Sequence, residues 1–175
     1  MPSKVIKKPE WAKDLLLNQP TLFIDPGLGG TGLAYFYPVT GMPLRTFARA
    51  SGKGEWLTRV FEQTEWYSYV LCDLATLPTQ IVIEYPKMFG GSASSYASVQ
   101  RGDIGKLTML CGALAQLSHT LNRRAPRITL VHPDVWKGQL PKNVVLRRIK
   151  AYWGLDCPDH IGDAVGMGLA AQGLL

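Results

Sequence analysis

The chain has 175 residues, 46% of them apolar and 18% charged, with Lys plus Arg 19 against Asp plus Glu 13. That length and composition predict one folded domain with its own buried core and exclude an intrinsically disordered chain. No apolar run approaches the roughly 18–20 residues of a membrane helix, and MPSKVIKKPEWAKD lacks the apolar centre of a secretory signal; Cys72, Cys111 and Cys157, too far apart for metal-ligand spacing, are expected to be buried thiols in a reducing cytoplasm.

Residues 1–19 read as an N-terminal extension to a domain spanning 20–175, with a short helix over Glu10–Asn18 that Pro9 starts and Pro20 ends. TLFID (21–25) is an apolar strand closed by an acid, PGLGG (26–30) a turn, TGLAYFY (31–37) a second strand, PVTGMP (38–43) a turn and LRTFARA (44–50) a third strand. Together they predict an antiparallel meander. Residues 54–77 carry Trp56, Leu57, Val60, Phe61, Tyr67, Val70, Leu71 and Leu74 at helical spacing. QIVIEYP (80–86) is a buried strand, 87–102 a Gly- and Ser-rich loop, 104–121 a second long helix and RITLVHP (127–133) a fifth strand. A basic connector (134–143), a basic amphipathic helix (144–155), a loop (156–159) and a last helix (160–175) follow. Hairpin-linked strands followed by strands that alternate with helices predict an α/β fold with a sheet of mixed direction.

Charge is unevenly placed. Residues 1–100 are nearly balanced, 101–150 hold ten basic side chains against Asp103 and Asp134, and 151–175 hold three aspartates and no Lys or Arg. Such a basic stretch is either a solvated surface or the footprint of a polyanion. Acids gathered beside it favour the second and suggest metal ions between the two.

Asp25 ends its strand directly before Pro26 and Gly27. It is either a turn-starting residue or a ligand-binding group at a strand end, where open α/β sheets gather their ligands. Glu84 interrupts Ile81, Val82, Ile83 and Tyr85. A carboxylate there loses hydration unless it reaches water or meets a cation or hydrogen bonds. Asp163 lies in the first turn of the last helix with His160 three residues before it on the same face, either as dipole decoration or as part of a site. The small residues Ala164, Gly166, Gly168, Ala170 and Ala171 let that helix lie close against a sheet, which carries Asp163 toward Asp25 and Glu84. Three converging carboxylates repel one another, and a pair of hard divalent ions, Mg²⁺ or Mn²⁺, relieves the repulsion. Two such ions activate water and stabilise the leaving oxygen of a phosphodiester, which predicts in-line hydrolysis of a nucleic-acid backbone.

Four segments, in this order, resemble the RuvC family of Holliday-junction resolvases within the ribonuclease H-like superfamily: FIDPGLGGTGLAYF (23–36), IVIEYPKMFGGSASSYASVQRG (81–102), HPDVWKGQLPKNVVLRRIKAYWGL (132–155) and DHIGDAVGMGLA (159–170). The resemblance spans about residues 21–172. It implies a ribonuclease H-like fold with three antiparallel strands, then two parallel ones, flanked by helices. It also implies Asp25, Glu84, His160 and Asp163 as the catalytic ligands of two Mg²⁺ ions, with Mn²⁺ substituting, and Lys137 as a catalytic contact to the substrate. His160 stands where many members have Asp, in a His-x-x-Asp arrangement that other members share; it is either a second-ion ligand or a general base. Lys142 matches a further basic position. Phe89 is placed like an aromatic that wedges into the junction centre, or else anchors its loop in the core. The DNA contacts implied are Phe89, Lys87, Arg101, Lys106, Lys137, Lys142, Arg147 and Arg148.

The same resemblance implies a homodimer, with helix 104–121 and its Leu107, Leu110, Leu114, Leu117 and Leu121 at the contact, nicking opposing strands of a four-way DNA junction in the cytoplasm of a bacterial or phage-infected cell. Three alternatives stand beside this reading. One is a nuclease for other branched DNA, R-loops or RNA hybrids. Another is a non-catalytic junction-binding protein. The third is an actin-like nucleotide-binding protein, whose DPGLGGTG turn would cradle a phosphate but whose class is expected to need a second domain.

Overall fold

The computed structural model describes residues 8–38, 41–87, 102–122 and 124–175. Every residue of TLFID is buried, and this strand, β1 (Thr21–Asp25), lies at the centre of a five-stranded sheet. β2 (Gly30–Phe36) pairs with β1 and β3 (Arg45–Ala50) with β2, both antiparallel. β4 (Gln80–Glu84) and β5 (Arg127–Val131) extend the other side in parallel, giving the order β3-β2-β1-β4-β5. A strand covered on both faces needs no polar face, so β1 and the apolar part of β4 read as unbroken apolar runs. β3, at the edge, keeps an alternation of exposed and half-buried positions.

Side chains leave the sheet alternately to two layers. Leu22, Ile24, Leu33, Tyr35, Ile81 and Ile83 meet α1 (Trp56–Asp73) and α2 (Asp103–Leu121). Phe23, Ala34, Phe36, Val82 and Val131 meet α3 (Pro133–Trp136), α4 (Lys142–Trp153) and α5 (Asp159–Ala171). The leucine stripe of α2 packs within this chain: Leu110 and Leu114 are fully buried, and Leu107, Leu117 and Leu121 join the same cluster. α5 is buried continuously from Gly162 to Ala171. Its small residues and the glycines of β2 allow this. A Cβ added to Gly32 would fall 2.2 Å from the His160 carbonyl oxygen, so helix and sheet meet backbone to backbone.

Four local expectations are corrected. The helix over Glu10–Asn18 is a single 3₁₀ turn, Glu10–Ala12. Ala12 and Leu15 turn into the core, and the Gln80 side chain accepts from the Leu16 N–H at 2.6 Å and donates to the Leu16 carbonyl at 2.9 Å. Those bonds replace a helical ladder that so short a segment sustains poorly. The connector 134–143 overlaps a helical turn, α3, which begins with Pro133 at its first position. The last helix stops at Ala171 rather than 175. The cysteines are all free thiols, but only Cys111 is buried; Cys72 is exposed on α1 and Cys157 is half-buried. Among the described residues no helix is long and apolar enough to cross a membrane.

Candidate active site

Because β1 and β4 are parallel neighbours with Ile24 opposite Ile83, Asp25 and Glu84 come to the same end of the sheet. Both follow the alternation of Phe23 and Val82, so both face the layer of α5. Asp163, in the first turns of that helix, meets them from above; Asp25 is 8% and Asp163 7% exposed.

Each acid has a distinct internal partner. His160 Nδ1 donates to Asp25 Oδ2 at 3.2 Å. Trp136 Nε1 donates to Glu84 Oε2 at 2.7 Å. Asp163 is flanked by two ammonium groups, Lys142 Nζ at 3.0 Å from Oδ2 and Lys137 Nζ at 3.5 Å from Oδ1. The longer approach is an ion pair rather than a hydrogen bond, and Asp163 Oδ1 is buried without a hydrogen-bond donor.

Burial is the main cause of the protonation behaviour of the two strand-end acids. It pushes Glu84 up to about 7, with the charges of Asp25 and Asp163 adding to it and Lys137 and the Trp136 N–H opposing. Burial likewise raises Asp25, against the hydrogen bond from His160. That same bond raises His160 above the ordinary imidazole value. All three groups hold a proton more tightly folded than unfolded, so the metal-free chain loses stability as pH rises through this range. Unfolded Glu84 titrates near 4.5 and folded Glu84 near 7, so its share, roughly 3 kcal/mol at most, disappears between those values. In chelator, Glu84→Gln is therefore expected to gain on wild type in melting temperature from pH 4.5 to pH 7.5. Parallel melting curves across that range would contradict the shift.

The turn after Asp25 is held from behind. Gln63, 1% exposed on α1, donates Nε2 to the Gly27 carbonyl at 2.6 Å and to Ser51 Oγ at 2.6 Å, and accepts from the Thr31 hydroxyl. Neither Gln63 nor Trp136 was singled out from sequence. The available signals were a polar residue within the apolar stripe of α1 and an indole in a basic connector.

Of the residues selected from sequence, Asp25, Glu84, His160, Asp163, Lys137 and Lys142 come together. Lys87 is outside this cluster, paired at 2.5 Å with Asp134 of α3. Lys106 lies 3.3 Å from Asp103 in the first turn of α2. Arg147 and Arg148 lie on α4, exposed and half-buried respectively. Phe89 and Arg101 lie outside the described residues.

No family model matches the sequence, and no curated protein matches it. Solved structures do match the fold. Thermus thermophilus RuvC in complex with a Holliday junction substrate superposes with a TM-score of 0.62 at 18% identity, over 87% of this chain and 91% of that one. A further Thermus thermophilus RuvC structure gives 0.59 at 18% identity, over 86% and 92%. The chain has the RuvC fold.

Within this RuvC fold the donor set suits a hard cation: three desolvated carboxylates that repel one another, one buried oxygen lacking a donor, and an imidazole. Among the described residues, however, no three His, Cys, Asp or Glu side chains stand in closed metal-ligand geometry. Instead, Lys137 and Lys142 stand against Asp163 and the indole stands against Glu84.

Proposed function

We propose that the protein is a divalent-metal-dependent endonuclease that cuts four-way DNA junctions. The observation that carries this reading is the convergence of Asp25, Glu84 and Asp163 at one sheet end of a RuvC fold, beside Lys137 and Lys142. Asp25, Glu84, Asp163 and His160 would hold two Mg²⁺ ions, with Mn²⁺ able to substitute. When bound, the metal supplies an activated water and charge stabilisation for a phosphodiester.

The chain's own groups have separate tasks. Asp25 keeps the His160 ring oriented through Nδ1. Lys137 and Lys142 balance the charge of Asp163 and present ammonium groups where a phosphate backbone would lie. Arg147, Arg148 and Lys106, with Lys87 and Arg101, extend the DNA contact, and Phe89 would wedge into the junction centre. The reading includes a homodimer that nicks opposing strands, a catalytic domain spanning 20–175 and work in the cytoplasm, where three free thiols stay reduced.

The test is cleavage of a fixed-arm four-way junction beside a flap, an RNA hybrid and plain duplex, with and without Mg²⁺. Symmetric nicks on the junction that require Mg²⁺ are expected; equal cutting of plain duplex, or none of any substrate, would overturn the proposal. Binding should weaken steeply as salt rises from 50 to 200 mM, as phosphate contacts demand. Lys137→Ala is expected to lower the single-turnover cleavage rate by on the order of 10²-fold while junction affinity falls only a few-fold, because it loses one phosphate contact but also one of the two ammonium groups that flank Asp163. Equal losses in both would reduce Lys137 to a binding residue.

A further inference from the structure

Trp136 closes α3 at 4% exposure, in a connector otherwise rich in polar and basic residues. Its Nε1 donates to Glu84 Oε2 at 2.7 Å. Lys137 Nζ lies 4.9 Å from the ring centroid, over its face, and the same ammonium is 3.5 Å from Asp163 Oδ1. The far edge of the indole rests against α5 at Gly166. A Cβ there would fall 3.0 Å from Trp136 Cζ3, 3.1 Å from Cη2 and 2.8 Å from Val145 Cγ1. One buried ring therefore touches the acid of β4, the cation that faces the acid of α5, and α5 itself.

An indole N–H donates in one direction and accepts nothing, so its bond selects one carboxylate oxygen and one rotation of the group. A cation over a ring face is held with comparable geometric preference. We propose that Trp136 is a positioning residue: its N–H sets the Glu84 carboxylate, and its face sets the Lys137 ammonium beside Asp163. Gly166 belongs to the same device, because a Cβ there would press on the ring as well as on Val145 Cγ1. The inference rests on the reading of this cluster as a nuclease site.

Trp136→Phe retains the ring face and most of the volume and removes the N–H; Trp136→Leu removes both. The first measurement uses the metal-free full chain at pH 8. Of its five indole N–H signals in a ¹H–¹⁵N spectrum, the one lost in Trp136→Phe should move upfield in Glu84→Gln, as a charged acceptor becomes neutral, while the other four stay in place. The second measurement is calorimetric titration with Mn²⁺ alone, followed by kcat and KM on the junction. Trp136→Phe is expected to lose about 10-fold or more in Mn²⁺ affinity and in kcat, the usual scale for a residue orienting a ligand, with KM within about twofold of wild type. Trp136→Leu should lose more. An indole signal unmoved by Glu84→Gln, or Trp136→Phe with wild-type Mn²⁺ affinity and kcat, would overturn the role of Trp136 in a chain that still cuts junctions. A wild-type chain that neither binds Mn²⁺ nor cuts a junction would overturn the nuclease reading and this role with it.

Discussion

Asp25→Asn is expected to bind a four-way junction no more weakly than wild type and to cut it on the order of 10³-fold more slowly. The side chain keeps its shape at the end of β1, so the fold is undisturbed, but the charge that orients His160 and completes the acid cluster is gone. Binding persists because the basic groups of the α3–α4 segment are untouched, and one negative charge fewer faces the phosphates. The same change should not lower stability. Asp25 is buried and its charge is penalised by desolvation and by Asp163, so a neutral amide removes a cost. Gel-shift binding in chelator, single-turnover cleavage of an end-labelled junction in Mg²⁺, and thermal melts test these outcomes together. Cleavage at the wild-type rate would remove Asp25 from the chemistry, whereas a much lower melting temperature would show that the carboxylate serves the fold.

Gly32→Ala should produce the largest loss of stability among single-methyl additions to this sheet. A Cβ at Gly32 would lie 2.2 Å from the His160 carbonyl oxygen, 2.3 Å from the His160 carbonyl carbon and 2.7 Å from the Ile161 nitrogen. All three are backbone atoms, so no rotamer change relieves the overlap, and α5 must lift away from β2 at the end that carries His160 and Asp163. The expected cost is about 3 kcal/mol or more, which lowers the melting temperature by roughly 6–12 °C in a domain of this size. Gly29→Ala is the control. Its added methyl meets nothing within 4 Å in the exposed turn, so its effect should stay within about 0.5 kcal/mol. Equal melting temperatures for the two variants would show that α5 does not seat on Gly32. A Gly32→Ala chain that folds but no longer cuts would show instead that helix height, rather than global stability, is what the site requires.

The sheet and the long helices were legible because their signals are local. β1 is a run of buried residues, α1 repeats apolar side chains at 3.6-residue spacing, and Pro and Gly mark the turns between them. The acids were legible for the same reason: a carboxylate closing an apolar strand, as Asp25 and Glu84 do, is costly wherever the chain runs. The small residues of α5 also announced close packing before any partner was known. Pairing is a different matter. Trp136 meets Glu84 across 52 positions and His160 meets Asp25 across 135, and nothing local in either segment names the other. Gln63 behind the Gly27 turn and Gln80 holding Leu16 were hidden likewise, since an amide shows its partners only when strands and helices have docked. The elements and the chemical groups at their ends follow from local sequence, because propensity and burial cost act residue by residue. Which acid meets which donor or cation follows only from the folded chain, because those distances depend on packing two helical layers against opposite faces of one sheet.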